Sequence, residues 1–248
     1  MAGHSHWAGI KHKKAIVDAK RGKIFSKMAK LIMQAAKNGV DLEYNVRLRH
    51  AVEKAKSYNM PNDKIENAIK KGSGQLEGYT LEEVAYEGYG PGGVAIVVEV
   101  LTDNRNRTTP EIRHIFEKRN GNLSGTGSVS WKFAAKGMIL VSGLEMDEDE
   151  FVELLIDAGM EDYSGEGGDY EVIVPVEAFE DVKKTLIARE VEFKAELTKI
   201  PSATLALDLQ GYQKILPLME DLEDHDDVQE VYADFDVPDE VINAVDEG

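Results

Sequence analysis

The stretch "GGVAIVVEVLTDNRNRTTPEIRHIFEKRNGNLSGTGSVSWKF" at residues 92–133 decides the fold class. Its opening, "GGVAIVVEVLTD", is rich in β-branched residues and predicts a strand. "TPEIRHIFEKRNG" has helical spacing, with Pro110 near its first turn and Gly121 after its end, which predicts a helix. "GSVSWKF" at residues 127–133 then predicts a second strand. The stretch is therefore a predicted β-α-β unit.

A second β-α-β unit is predicted near the C-terminus from "ATLALDL", "GYQKILPLMEDLED" and "VQEVYADFDV". Between the two units, three strand-like segments alternate with two helix-like segments. Because joined β-α-β units make a ferredoxin-like sandwich, we predict one such domain from residues 81–135 plus 202–248. A further α+β domain over residues 136–201 is inserted in it. Three consecutive domains are the alternative, but they would leave a sheet edge uncovered.

The first third of the chain predicts helices instead. "KIFSKMAKLIMQAAKNG", "NVRLRHAVEKAKSYNM" and "PNDKIENAIKKG" each place apolar residues at helical spacing. Three short amphipathic helices can bury these faces only against each other. We therefore predict a helical bundle and linker over residues 22–80, preceded by a basic arm over residues 1–21. The fold class is α+β multidomain: a three-helix bundle followed by two ferredoxin-like sandwich domains, one inserted in the other.

Charge is distributed unevenly along the 248 residues, whose net charge is −17. Residues 1–80 hold 16 basic and 7 acidic residues, whereas residues 138–248 hold 6 basic and 32 acidic residues. Such asymmetry indicates a basic element that meets polyanions, attached to an acidic body. The chain has no cysteine, which excludes disulfides, zinc–thiolate sites and cysteine nucleophiles.

Other classes of protein are disfavoured by what the sequence lacks. The longest clear apolar run, "VAIVV", ends at Glu99, far short of a membrane span of about 20 residues. The basic N-terminus has no apolar signal-peptide region, so we expect a cytoplasmic protein. "GYGPGG" at residues 88–93 matches a dinucleotide-binding pattern, but a strand and not a helix follows it, which favours a tight turn. We expect neither an enzyme nor a bound metal or cofactor.

The basic N-terminus is the main candidate for a binding site. "MAGHSHWAGIKHKKAIVDAKRGKIFSK" at residues 1–27 has seven basic residues and Asp18 as its one acid. Cations near phosphates release counterions and so bind nucleic acid without sequence preference, and Trp7 could stack on a base. A solvated helix face is the alternative, but the arm lacks the acids that would pair with its lysines. The candidate residues in the arm and bundle are Trp7, Lys11, His12, Lys13, Lys14, Lys20, Arg21, Lys23, Lys27, Arg47 and Arg49.

Two polar clusters lie outside this region. "TDNRNRT" at residues 102–108 contributes Arg105 and Arg107, which could clamp phosphate, although an Asx-rich helix cap explains it equally well. The acidic runs "EMDEDE" and "EDLEDHDD" could bind a basic protein partner. They could also hold metal ions of a nuclease, but no catalytic spacing supports that alternative.

Four stretches together resemble the YebC/PmpR family: residues 1–27, "MPNDKIENAIKKGSGQLEG", "YEGYGPGGVAIVVEVLTDNRNRT" and "LEDHDDVQEVYADFD". The resemblance extends to about residue 237. It implies an N-terminal helical bundle and two α+β domains, one inserted in the other. His6 and Gly9 depart from the "GHSKWANIKH" that members often have, and His6 removes about one positive charge at neutral pH.

The resemblance also implies a function in gene expression. Bacterial members are generally described as probable transcriptional regulators that bind DNA, and similar mitochondrial proteins activate translation of cytochrome c oxidase subunit I. Other members are linked to ribosomes stalled on proline-rich chains. We therefore expect a DNA-binding transcriptional regulator, with a translation factor that contacts ribosomal RNA as the alternative and a metal-dependent nuclease as a remote one.

Overall fold

The computed structural model describes residues 21–77, 80–238 and 241. The helices in these ranges are α1 (Arg21–Ala36), α2 (Val46–Ser57), α3 (Asn62–Gly72), α4 (Arg105–Lys118), α5 (Glu148–Asp157), α6 (Phe179–Ala188) and α7 (Leu209–Glu223). The strands are β1 (Glu82–Tyr89), β2 (Ala95–Thr102), β3 (Asn122–Ser124), β4 (Phe133–Val141), β5 (Asp162–Glu166), β6 (Asp169–Pro175), β7 (Phe193–Pro201), β8 (Leu205–Ala206), β9 (Val228–Ala233) and β10 (Phe235–Asp236). None of the described helices is long and apolar enough to cross a membrane.

Helices α1, α2 and α3 form the predicted three-helix bundle. Their apolar faces meet in one core, in which Ile32, Leu48 and Ala55 are fully buried. The approach of α3 to α1 depends on Gly72, because a Cβ atom there would lie 2.2 Å from the carbonyl oxygen of Met33. The bundle is thus held by small residues at the closest contacts and by aliphatic side chains elsewhere.

The first sheet has the strand order β3-β1-β2-β9, and all of its pairs are antiparallel. Helices α4 and α7 contribute Phe116 and Tyr212 to a core shared with Ile96 and Val98 of β2. The glycine-rich segment "GYGPGG" makes the turn between β1 and β2, with a positive φ of +77° at Gly92. The segment is therefore a hairpin turn that contains one 3-10 turn, Pro91–Gly93, and no α-helix begins there to bind a dinucleotide.

The second large sheet has the order β5-β6-β4-β7, again antiparallel throughout. The chain order is β-α-β-β-α-β, which is the ferredoxin-like sandwich. Its two helices bury Phe151, Leu155 and Leu186 against Val172 of β6. The fold class predicted from the sequence, α+β multidomain with an N-terminal helical bundle, is confirmed.

Four details of the sequence prediction were wrong or incomplete. Strands β1, β3 and β5 were not predicted, and residues 127–132 are not part of a strand. The reason for the last error is Glu87, a buried carboxylate that accepts hydrogen bonds from the backbone N–H groups of Gly127 (2.7 Å), Val129 (2.7 Å) and Ser130 (2.9 Å). Those N–H groups cannot also pair with a strand, so the segment is a loop and the third strand of the first sheet is β3.

The described residues divide into two compact units. Trp131–Thr204 form one unit, which contains the second large sheet. Residues 21–130 together with 205–238 form the other, which contains the bundle, the first sheet and the short parallel pair β8–β10. Strand β4 begins at Phe133. Residues 133–135, which the sequence prediction assigned to the surrounding domain, are therefore part of the second large sheet.

Candidate nucleic-acid interface

The candidate binding residues fall into two groups. Six of them lie in residues 1–20, outside the described residues: Trp7, Lys11, His12, Lys13, Lys14 and Lys20. Arg21 is the first residue of α1. The other six are described with their side chains, and each of them has a partner within the protein.

Three lysines of α1, Lys23, Lys27 and Lys30, form what we term the lysine row. They contact the acidic segment, defined as Glu220–Asp227 at the end of α7. Their Nζ atoms donate to backbone carbonyl oxygens of Asp224 (3.0 Å), Glu223 and Asp226 (3.0 Å), in the same order. The acidic segment is therefore bound, within the same unit, by the helix that carries the predicted site residues Lys23 and Lys27.

This contact explains acidic residues that the helix dipole disfavours. Carboxylates near a helix C-terminus lie beside its partial negative charge, and the last carbonyl groups of the helix lack partners within it. The lysine row supplies positive charge and hydrogen-bond donors to both. Lysine side chains of one element thus cap the C-terminus of another.

Asp227 connects three elements at the centre of this contact. Its Oδ1 atom accepts a hydrogen bond from Lys30 Nζ at 2.6 Å, and its Oδ2 atom accepts from Arg107 (2.5 Å) and from the Thr108 hydroxyl (2.7 Å). The Asp227 side chain is 2% exposed and that of Lys30 is 11% exposed. Burial by itself would raise the pKa of Asp227, but the bonds from Lys30, Thr108 and Arg107 outweigh it and hold that pKa well below its usual range.

The loop before α4 is a helix cap. The Asn104 side chain accepts a hydrogen bond from the Arg107 backbone N–H at 3.1 Å, as an N-cap residue does. Arg105 lies 3.4 Å from Glu82, with both side chains more than half exposed. Arg107 is bound to Asp227 but stays 47% exposed. Asn104 therefore caps the helix, and phosphate binding by Arg105 and Arg107 stays a prediction.

The arginines of α2 are used in a similar way. Arg47 forms an ion pair with Glu83, and Arg49 donates to the carbonyl oxygens of Leu42 (3.1 Å) and Glu43 (3.4 Å). Together with a Lys54–Glu230 pair, the Arg47 contact holds α2 against the first sheet. Much of the positive charge of the bundle therefore binds the acidic sheet domain.

Other exposed cations of the bundle have solvent access and were not among the predicted site residues. Lys56 lies in the last turn of α2, and Lys70 and Lys71 lie in the last turn of α3. Among the described residues, the side chains of these three lysines form no hydrogen bond or ion pair. The Nζ atom of Lys64 lies 5.1 Å from the centre of the Phe25 ring. The signal that could have identified them is their place in the last helical turn, where cations complement the dipole and point outward.

Three potential metal ligands, Glu111, His225 and Asp227, lie close together in a cleft of about 610 Å³. Lys30 and Arg107 already bind both oxygens of Asp227, and His225 accepts a hydrogen bond from the Asp227 N–H at 3.1 Å. A metal ion would have to displace both cations from the carboxylate. The donor set is therefore poorly suited to a metal ion, and the cleft is a place where ion pairs join α1, α4 and the end of α7.

Comparison with known proteins identifies the family. The model described as the TACO1/YebC protein N-terminal domain matches residues 5–75, and the model of the TACO1/YebC second and third domain matches residues 81–235. The chain belongs to the TACO1/YebC family. The similarity extends over nearly the full length of its relatives, so the family assignment covers all of the described elements up to β9.

The relatives carry regulatory names. A protein of Natranaerobius thermophilus is 52% identical, covering 98% of this chain and 99% of its own, and one of Syntrophobacter fumaroxidans is 49% identical over 99% and 100%. Both are named "Probable transcriptional regulatory protein". A crystal structure of a conserved hypothetical protein from Aquifex aeolicus has a TM-score of 0.83 and 48% identity, covering 95% of this chain and 98% of that one.

Proposed function

We propose that this protein is a regulator of gene expression that binds nucleic acid through its basic arm and helical bundle, with duplex DNA as its target. The observation that carries the proposal is the separation of charge. Residues 21–77 hold 12 basic and 6 acidic residues, and residues 131–204 hold 7 basic and 18 acidic residues. Phosphates are attracted to the first and repelled by the second. The transcriptional names of the relatives support DNA as the target.

The acidic unit, Trp131–Thr204, has a separate part in this proposal. Its excess of carboxylates keeps it away from the phosphate backbone and suits a basic protein partner. The nucleic acid would then contact the bundle while a protein contacts the acidic unit. This division assigns neither a catalytic step nor a cofactor to the protein.

The test is a fluorescence anisotropy titration of a labelled 25-base-pair DNA duplex at several salt concentrations. Lys11, Lys13 and Lys14 are changed together to Glu in one variant. The matched control changes the exposed Lys184, Lys194 and Lys214 to Glu, which alters the net charge equally. We expect the first variant to lose affinity by at least about 100-fold and to reduce the salt dependence, since each phosphate contact contributes a slope of about 0.9.

The control separates contact from general repulsion. If both variants lose affinity equally, net charge alone governs binding and the assignment to the arm is wrong. If wild-type protein does not bind the duplex even at 50 mM salt, DNA is not the target.

A second candidate, ribosomal RNA, is favoured by one observation. The described helices of the bundle use many of their cations on the sheet domain, and α3 alternates Lys64 with Asp63 and Glu66 on its exposed surface. Such a surface suits contact with phosphates of a structured RNA better than base reading in a major groove. Co-sedimentation with purified ribosomes in the presence of competing duplex DNA distinguishes the two. Pelleting that resists DNA supports RNA, and release by DNA supports the first candidate.

A further inference from the structure

The lysine row is bound by the same type of atom that a nucleic acid offers. Its contacts with the acidic segment include bonds to three backbone carbonyl oxygens and one to the carboxylate of Asp227. The acidic segment, "EDLEDHDD", holds six carboxylates in eight residues. In charge and in hydrogen-bond acceptors it resembles a short stretch of phosphate backbone.

The strength of these contacts differs along the row. Lys30 and Asp227 are buried, and breaking a buried pair leaves an uncompensated charge at a high cost. Lys23 and Lys27 form the more exposed end: Lys23 is exposed and donates to the Asp224 carbonyl group, and Lys27 is partly buried and donates to that of Glu223. Exposed contacts of this type contribute little and are screened by salt. One end of the row is therefore a fixed anchor and the other is exchangeable.

We propose that the acidic segment is an intramolecular competitor of nucleic acid for the exposed end of the lysine row. Without nucleic acid, Lys23 and Lys27 bind the end of α7. With nucleic acid present, they turn to its phosphates while the Lys30–Asp227 pair keeps α1 in place. The inference rests on the proposed nucleic-acid binding and makes that binding more selective. Only a polyanion that displaces the acidic segment can bind Lys23 and Lys27.

The competition is tested by lowering the negative charge of the acidic segment, which weakens its attraction for the two lysines while its backbone acceptors and the Lys30–Asp227 pair remain. Asp224→Asn and Asp226→Asn are combined, because both residues are exposed and neither side chain forms the buried pair. The control combines Glu153→Gln with Asp157→Asn, two exposed residues of α5 that give the same change of net charge. Binding of a labelled 25-base-pair DNA duplex and of a labelled RNA hairpin is measured for each protein at 100 mM salt.

We expect the Asp224/Asp226 variant to bind at least about threefold more tightly than the control variant. A second variant, Lys23→Gln with Lys27→Gln, should bind about tenfold more weakly than wild type and with a salt slope smaller by nearly two. A purely structural role for these lysines would leave the salt slope unchanged, which would overturn the inference. Equal affinities for the Asp224/Asp226 variant and its control would also overturn it.

Failure of the proposed function gives a different result. If the wild-type protein binds neither probe, the proposed function is wrong and the competition falls with it. If wild type binds but the Asp224/Asp226 variant does not differ from its control, the proposed function stands and only the competition is refuted.

Discussion

The contact of Asp227 with Lys30 and Arg107, which connects three elements of the larger unit, is tested by Asp227→Asn. The substitution keeps the volume of the side chain but removes its charge, leaving the Lys30 ammonium group in a site where its side chain is 11% exposed. One amide oxygen can accept from either Lys30 or Arg107, and the amide NH₂ group then faces the other cation. Removing one member of a buried ion pair costs about 3–5 kcal/mol.

We expect a value near the lower limit of this range, because Arg107 is 47% exposed and can be solvated by water. A loss of about 3 kcal/mol in the free energy of unfolding corresponds to a fall of roughly 6–12 °C in Tm for a chain of this size. Urea unfolding at pH 7, followed by circular dichroism, measures the change in free energy, and hydrogen exchange in α1 and β9 locates it.

Two further variants identify the cause of that loss. Asp226→Asn changes an exposed neighbour and should cost less than about 0.5 kcal/mol. Lys30→Met combined with Asp227→Asn removes the unpaired ammonium group and should recover part of the stability. Two results would refute the argument. One is a loss of less than about 1 kcal/mol in the free energy of unfolding for Asp227→Asn. The other is a loss in the double variant that exceeds the sum of the losses in the two single variants.

Three other changes test the fold. Gly72→Ala should destabilise the bundle by at least about 2 kcal/mol, because its Cβ atom would meet the Met33 carbonyl group. Gly22→Ala is the control: its Cβ atom would lie in open space on α1, so this variant should be slightly more stable than wild type. Thermal unfolding of both variants measures the difference. Glu87→Gln should cost about 2 kcal/mol and speed hydrogen exchange at the N–H groups that it binds, and unchanged exchange would contradict the assigned role. The folded-state pKa values of Glu87 and Asp227 are both lowered. Each carboxylate therefore adds to the free energy of unfolding above the ordinary carboxyl pKa of about 4, and this contribution is lost as the pH falls below that value. Unfolding measured from pH 7 to pH 2 should show the loss, and the loss should be smaller in Glu87→Gln and in Asp227→Asn.

Much of the architecture could be predicted because periodicity is a local property of the sequence. The bundle helices and the strand-helix alternation follow from apolar spacing alone. Strand β1 was missed because the charged Glu87 is buried on the face of the strand that points away from the core, so apolar and polar residues do not alternate clearly. Strand β5 was missed because "DYSGE" contains few residues that favour strands. The strand predicted at residues 127–133 was wrong up to Lys132, because the distant Glu87 binds the backbone at Gly127, Val129 and Ser130.

The site shows a different limit. The sequence indicates where positive charge is concentrated, but it does not show which cations the protein itself neutralises. Lys27 and Glu223 are 196 positions apart, and only the folded chain brings them together. The acidic end of α7 is unfavourable for its helix dipole, and α1 binds at that end.

The most direct test of the central claim is photo-cross-linking of the wild-type protein to nucleic acid, followed by mapping of the attached peptides. The probes are a DNA duplex containing 5-bromouracil and an RNA hairpin containing 4-thiouracil, each used at 100 mM salt. If the bundle and arm bind nucleic acid, the cross-linked peptides will come from residues 1–77. Cross-links found mainly in residues 131–204 would contradict the account.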